Sequence, residues 1–386
     1  MPSKNVSHTE AYSTFDHLFL GAMRSISKVV SMKKLTRPFW NRWRAGDVGD
    51  DVLFAFLEEI RSLDDWPDAA LRMIATNEAT YKAGRAGMTQ VEEIAALRRL
   101  SYMCNLGHWG ILPLNEAKRR AYTKARDYYV QAERLAFGDR FQQFSIAWNG
   151  QAFPANLHLP KGDPAPLVIL VHGIDGCKEE HLATELAMLD AGFAVAAFDG
   201  PGQAESFLLN GILWDARFPE AITACIDQLV DHRGVDATRV GIMGMSIGAL
   251  WTLAASSGDA RVKAVYDLGA PINTRAFNRV PFIIKSKMCQ ITGATSDKDI
   301  SDVLSRNFID RDEILNGITA AVRIVHGTKD RVVSMEDKHW LHERFQALGV
   351  AKAIEMRIFE DADHCCTSHI PEIRRDMADF FHRFLR

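Results

Sequence analysis

The chain lacks the features that mark several protein classes. Its 46 Lys and Arg against 49 Asp and Glu leave a formal charge of -3 over 386 residues, so no polycationic surface points to nucleic acid or to an anionic membrane. No long apolar run is present either. The stretch Leu18-Phe-Leu-Gly-Ala-Met23 is too short for a membrane span or a signal-peptide core, and no basic segment precedes it. A cytoplasmic location is the resulting expectation. The six cysteines, Cys104, Cys177, Cys225, Cys289, Cys365 and Cys366, have neither metal-site nor disulfide-framework spacing, and the last two are adjacent. They read as reduced thiols. Gly/Ser-rich linkers, tandem repeats and low-complexity tracts are also missing. What remains, 47% apolar and 25% charged residues, is the composition of a soluble globular protein with one large domain and an appendage, or two domains.

Residues 1 to about 140 carry apolar positions at helical spacing, as in Val52-Leu-Phe-Ala-Phe-Leu-Glu-Glu-Ile60 and Ile94-Ala-Ala-Leu-Arg-Arg-Leu100. Residues 117–136 continue the pattern with Arg and Lys on the opposite face. A helical domain is predicted here, either a bundle or a lid. From residue 141 the texture changes. Residues 141–148 and 153–159 alternate with period two around Asn149-Gly150, which predicts an antiparallel hairpin. Buried apolar runs then alternate with helical stretches. The runs lie at 166–171, 193–198, 240–243, 262–266, 321–325 and 354–359, and a last helix is expected over 371–385. This alternation predicts an α/β domain over 141–386 with a doubly wound, mostly parallel sheet, interrupted by a cap-like insertion at about 270–316. Ligands of such sheets sit at the carboxyl ends of the strands.

Each candidate chemical group follows one of these runs. Gly244-Met-Ser-Ile-Gly248 has the Gly-x-Ser-x-Gly spacing of a nucleophile elbow, in which a strained serine projects from a strand-to-helix turn. Ser246 is the expected nucleophile, but a serine hydroxyl needs a base. His326-Gly-Thr-Lys-Asp330 and Glu360-Asp-Ala-Asp-His364 follow later strands and supply the order Ser, Asp, His. His364 is the expected base and Asp330 its orienting acid, with Asp337, Asp361 and Asp363 as rivals for the acid. Backbone N–H donors for a tetrahedral oxyanion are expected at Ile247 and in the turn after residue 171, at Ile174 or Asp175.

These segments resemble a known family. Gly173-Ile-Asp-Gly-Cys-Lys-Glu-Glu180, Ala197-Phe-Asp-Gly-Pro-Gly-Gln-Ala-Glu-Ser206, the elbow and Ala362-Asp-His-Cys-Cys366 are similar to the α/β-hydrolases related to 2,6-dihydroxypseudooxynicotine hydrolase, FrsA-type esterases and fungal polyketide-shortening hydrolases. The resemblance implies an α/β-hydrolase fold with an N-terminal helical cap, the triad Ser246, Asp330 and His364, no cofactor or metal, and a homodimer. It also implies that the N-terminal domain lines the substrate pocket, with Tyr102, His108 and Trp109 as candidates. One departure concerns the carbon–carbon bond hydrolases of the family, which carry a further glutamate after the strand that follows the elbow helix. Residues 268–296 here contain no Asp or Glu but have Arg275, Arg279, Lys285 and Lys287.

The leading expectation is a serine hydrolase acting on an ester, thioester or activated ketone of a small organic or polyketide-like molecule. A C–C bond hydrolase, an acyltransferase or a lyase could reuse the same triad. A ligand-binding protein on a hydrolase scaffold is the reading from another class.

Overall fold

The computed structural model describes residues 14–386 apart from 47, 113, 278, 281 and 295. They cluster into two compact units. The first comprises the described residues of Met1–Asp139 together with Phe282–Ser296; the second comprises those of Arg140–Pro281 and Asp297–Arg386.

The first unit is helical. Its helix Gln90–Trp109 opens on a capping box, in which Thr89 and Glu92 satisfy each other's backbone N–H groups. Asn115 caps Glu116–Phe137 in a similar way, accepting from the N–H of Lys118. The bend between these helices is fixed by size. A Cβ at Gly110 would lie 2.0 Å from the Trp66 ring, and the Trp66 indole donates to the Gly107 carbonyl at 2.9 Å. Fully buried Glu133 is held by Arg98 through two hydrogen bonds of 2.8 and 2.9 Å.

The second unit is built on one sheet. Its strands are β1 (Phe141–Trp148), β2 (Gln151–His158), β3 (Ala165–Val171), β4 (Ala194–Phe198), β5 (Val235–Met245), β6 (Val262–Leu268), β7 (Ala321–Gly327) and β8 (Ala353–Phe359). Their spatial order is β1-β2-β4-β3-β5-β6-β7-β8. β1 and β2 form the expected hairpin, with Trp148 opposite Gln151. Asn149 and Gly150 have φ of 49° and 71°, both left-handed as a two-residue type I′ turn requires. β2 is antiparallel to β4, and every pairing from β4 through β8 is parallel. The central strands are buried on both faces because helices cover them. Leu167, Val168, Ile169, Ala194, Val195 and Ala196 are all fully enclosed.

Parallel strands deliver their following loops to one edge of the sheet. Two of those loops are also tied together. A Cβ at Gly327 would lie 2.3 Å from the Ala362 carbonyl oxygen. The N–H groups of Lys329 and Thr328 donate to Ala362 and Phe359 at 2.9 and 3.1 Å. The turns after β7 and β8 therefore approach each other, and with them Asp330 and His364. The stretch 270–316 folds as the short helices Thr274–Phe277, Phe282–Thr292, Asp297–Ser305 and Asp312–Leu315. The part at Phe282–Ser296 clusters with the helical unit and its flanks with the sheet. Among the described residues no helix is long and apolar enough to cross a membrane.

Candidate active site

β5 runs directly into the helix Ile247–Ser256, and Ser246 stands between them at φ 56° and ψ -127°. A non-glycine residue holds that conformation only when its surroundings enforce it. Here the two elbow glycines permit the close packing that does so. A Cβ at Gly244 would lie 2.3 Å from Ala249 Cα, and one at Gly248 would lie 2.3 Å from the Val171 carbonyl oxygen and 2.6 Å from that of His172. All three are backbone atoms that cannot give way. The N–H of Ser246 donates to Leu268 O at 2.9 Å, anchoring the tip to the end of β6.

The side chain of Ser246 meets two others. Its Oγ lies 2.9 Å from His364 Nε2, and His364 Nδ1 lies 2.8 Å from Asp330 Oδ2. Asp330 Oδ1 accepts from the N–H groups of Val332 and Val333 at 2.7 and 2.9 Å. Burial pushes the Asp330 carboxyl toward its neutral form. The charge and hydrogen bond of His364 and the Val333 N–H outweigh it, and its pKa ends below the ordinary carboxylate value. An ionised Asp330 takes its hydrogen from Nδ1 of His364. Nε2 is then left as the acceptor of the Ser246 hydroxyl, the tautomer a general base needs. For His364 burial disfavours the charged imidazole, but Cys365 and Asp330 outweigh it and raise its pKa above the usual histidine value.

The loop that carries His364 is held by unusual backbone. Cys365 and Cys366 have φ of 57° and 50°, a region that non-glycine residues seldom occupy. Cys365 Sγ contacts Leu268 O at 3.4 Å, the same carbonyl that receives the Ser246 N–H.

The rival carboxylates are engaged elsewhere. Asp337 pairs with Arg275 at 2.5 Å and receives Asn273 Nδ2 at 3.3 Å. Exposed Asp361 pairs with Lys329, and Asp363 accepts from Thr367 and Ser368. His326 Nδ1 lies 3.6 Å from Asp330 Oδ2, beyond a hydrogen bond. Burial, with the nearby Lys338 ammonium, pushes the His326 imidazole down to about 4. It is therefore neutral at neutral pH and leaves the charge of Asp330 to His364.

Ile247 is the first residue of its helix, so its N–H has no carbonyl four residues back to bond. Gly173 brings the other candidate turn alongside the nucleophile, since a Cβ at Gly173 would lie 3.6 Å from Ser246 Cβ. Ile174 and Asp175 occupy that turn. Tyr102, His108 and Trp109 belong to the helical unit and are buried in it. The Trp109 ring packs on Phe39 and Trp43 with centroids 4.7 and 5.3 Å apart, and His108 packs on Tyr122 at 5.3 Å.

Two buried lysines near the strand ends escaped sequence reasoning. Lys338 Nζ lies 2.7 Å from Asp267 Oδ2, both fully buried. Lys178 Nζ lies 2.8, 3.1 and 2.5 Å from Glu179, Asp199 and Glu205. Oxygens of those three carboxylates converge within 4.8 Å, a spacing that could hold a metal ion. The ammonium of Lys178 already stands among them as the cation. Lys178 lies in a segment that carries the family resemblance, but its burial against Asp199 and Glu205, like that of Lys338 against Asp267, depends on residues distant in sequence.

The profile of the prolyl oligopeptidase family matches residues 180–386. The chain is 24% identical over 286 residues to 2,6-dihydropseudooxynicotine hydrolase of Paenarthrobacter nicotinovorans, covering 70% of this chain and 72% of that protein. Its fold matches the crystal structure of 2,6-dihydroxy-pseudo-oxynicotine hydrolase with a TM-score of 0.76 and 21% identity, over 90% of this chain and 95% of the other. It also matches wild-type AbyA5 with a TM-score of 0.67 and 18% identity, over 84% and 87% of the two chains.

Proposed function

The chain belongs to the prolyl oligopeptidase family and is an α/β-hydrolase, and from that premise we propose that it cleaves carbonyl substrates through an acyl-enzyme on Ser246. The observation that carries this reading is the unbroken chain from Ser246 Oγ through His364 to Asp330, at 2.9 and 2.8 Å. His364 Nε2 takes the hydroxyl proton as Ser246 Oγ attacks the carbonyl carbon. Asp330 stabilises the imidazolium that forms. The N–H groups of Ile247 and Ile174 receive the oxyanion, with Asp175 as the alternative donor to Ile174. The imidazolium then returns its proton to the leaving group. A water activated by His364 adds to the acyl carbonyl, and collapse of that second adduct frees Ser246.

The substrate class we favour is an ester or thioester of a small organic molecule, whose oxygen or sulfur leaves when the acyl-enzyme forms. A C–C bond reading draws on the family resemblance given under the sequence analysis. Against it, residues 268–296 offer no carboxylate, and Asp267, just before them, is bound to Lys338. Turnover of an aryl ester, an acyl thioester, an aminoacyl anilide and a 1,3-diketone, each with product analysis, tests the assignment. Hydrolysis of the first two by the wild type and not by Ser246→Ala is expected. Equal turnover by both proteins would overturn it.

A further inference from the structure

Behind the turn that follows β3 lies a fully enclosed polar network that the triad does not use. Asp199, at the end of β4, accepts from His172 Nε2 at 2.9 Å and from the Lys178 N–H at 2.8 Å. It also accepts from Lys178 Nζ and from the Glu205 N–H, both at 3.1 Å. Gln203 belongs to the same loop. Its Oε1 accepts from the Gly200 N–H at 2.9 Å, and its Nε2 donates to the carbonyls of His172 and Gly173 at 3.0 and 3.2 Å. His172 Nδ1 lies 2.9 Å from the Gly173 carbonyl oxygen and 3.1 Å from Gln203 Nε2. His172, Lys178, Asp199 and Gln203 are all buried.

Burying a lysine with three carboxylates incurs a desolvation cost that an apolar cluster of the same volume would avoid. Stability is therefore a weak reason for this cluster to exist. Its position suggests another. Every bond above ends on the turn that starts at His172 or on the loop that grips it, and Gly173 in that turn packs against the nucleophile. The donor that an oxyanion needs must be fixed to a few tenths of an ångström before the charge appears.

We propose that Lys178, acting through Asp199, and Gln203, acting directly, together position the oxyanion turn, holding residues 172–174 so that the Ile174 N–H stays aimed at the carbonyl oxygen bound at Ser246. This inference rests on the acyl-enzyme reading. Lys178 touches no reacting atom. Its ammonium draws the Asp199 loop onto the turn, and Gln203 fixes the peptide that precedes Ile174. Asp199 is held in its charged form by that ammonium and by His172, against the effect of burial.

The test uses the full chain with Lys178→Met, which keeps most of the stem and removes the charge, and Gln203→Leu, which keeps the volume and removes the donor. Active sites are counted by covalent fluorophosphonate labelling, so kcat for an aryl ester is expressed per competent site and misfolded protein drops out. Loss of one oxyanion donor lowers kcat by about 10²- to 10³-fold. The expected losses are about 10²-fold for Lys178→Met and about 10-fold or more for Gln203→Leu, with KM within about threefold in both. Inhibition by an alkylboronic acid, whose tetrahedral adduct uses the same donor, weakens by the same factor as kcat/KM. The midpoint of the acid limb of the rate profile stays in place, because His364 and Asp330 are untouched. A kcat per labelled site within about threefold of wild type in both variants would overturn the proposal and leave the network a part of the fold. If Lys178→Met yields no folded protein, Gln203→Leu decides on the same readouts. Wild-type protein that neither labels nor turns over would overturn the acyl-enzyme reading itself, and this inference with it.

Discussion

Replacing Asp330 by asparagine separates the geometry of the proposed triad from its electrostatics. Two of the carboxylate's bonds survive, because the Asn carbonyl oxygen can still accept from Val332 and Val333 at the 2.7 and 2.9 Å now seen. That fixes the amide nitrogen toward His364 Nδ1, where Oδ2 stands at 2.8 Å in the wild type. An amide nitrogen donates and cannot accept, so Nδ1 must give up its hydrogen and the proton moves to Nε2. There it faces the Ser246 hydroxyl 2.9 Å away and blocks proton transfer. A wrong tautomer in an otherwise intact site costs about 10⁴ in kcat, or about 5 kcal/mol of transition-state stabilisation. Loss of the anion also removes part of what raises the His364 pKa, so the residual activity should show its acid limb at lower pH than the wild type. The assay is kcat against pH on an aryl ester, with the near-ultraviolet circular dichroism spectrum confirming the fold. An Asp330→Asn enzyme within tenfold of wild type, with its acid limb unmoved, would refute the reasoning.

Other outcomes follow from the same structure. The wild-type kcat/KM should rise with pH through a midpoint above 6.5, because the base works only when deprotonated and its partners raise its pKa; a flat profile from pH 5 to 8 would contradict this. Gly248→Ala should abolish ester turnover and lower the melting temperature, since its Cβ would press on two backbone carbonyls at 2.3 and 2.6 Å; unchanged melting and activity would show that the elbow can relax. His326 sets a stability window. Its folded pKa of about 4 lies below the ordinary 6.5, so the unfolded chain binds the proton first as pH falls. Stability from this group is complete above pH 6.5 and declines through the window down to pH 4, by about 3 kcal/mol in all. Denaturant titrations of His326→Phe should lack that part of the acid loss, and an identical pH dependence in both proteins would count against it.

The parts of the fold that could be read from the sequence are those in which chemistry and burial share a period. β3 and β4 announce themselves as apolar runs because both faces are covered, and Asn149-Gly150 marks a turn only left-handed residues can make. Ser246, Asp330 and His364 were legible for a related reason, since parallel strands send their following loops to one edge. The hidden parts depend on long-range partners. The burial of Lys178 and Lys338 depends on Asp199 and Asp267, which neighbouring strands bring to them. The left-handed backbone at Cys365 and Cys366 has no signature either, because non-glycine residues enter it only under outside constraint. Residues 270–316 read as a cap-like insertion, and short helices do not say which body they will join; Phe282–Ser296 clusters with the helical unit.

Mass spectrometry of the fluorophosphonate-treated protein bears most directly on the proposed nucleophile. One adduct per chain, mapped to the peptide containing Ser246 and absent from Ser246→Ala, is the predicted result. An adduct on another residue, or equal labelling of both proteins, would contradict it.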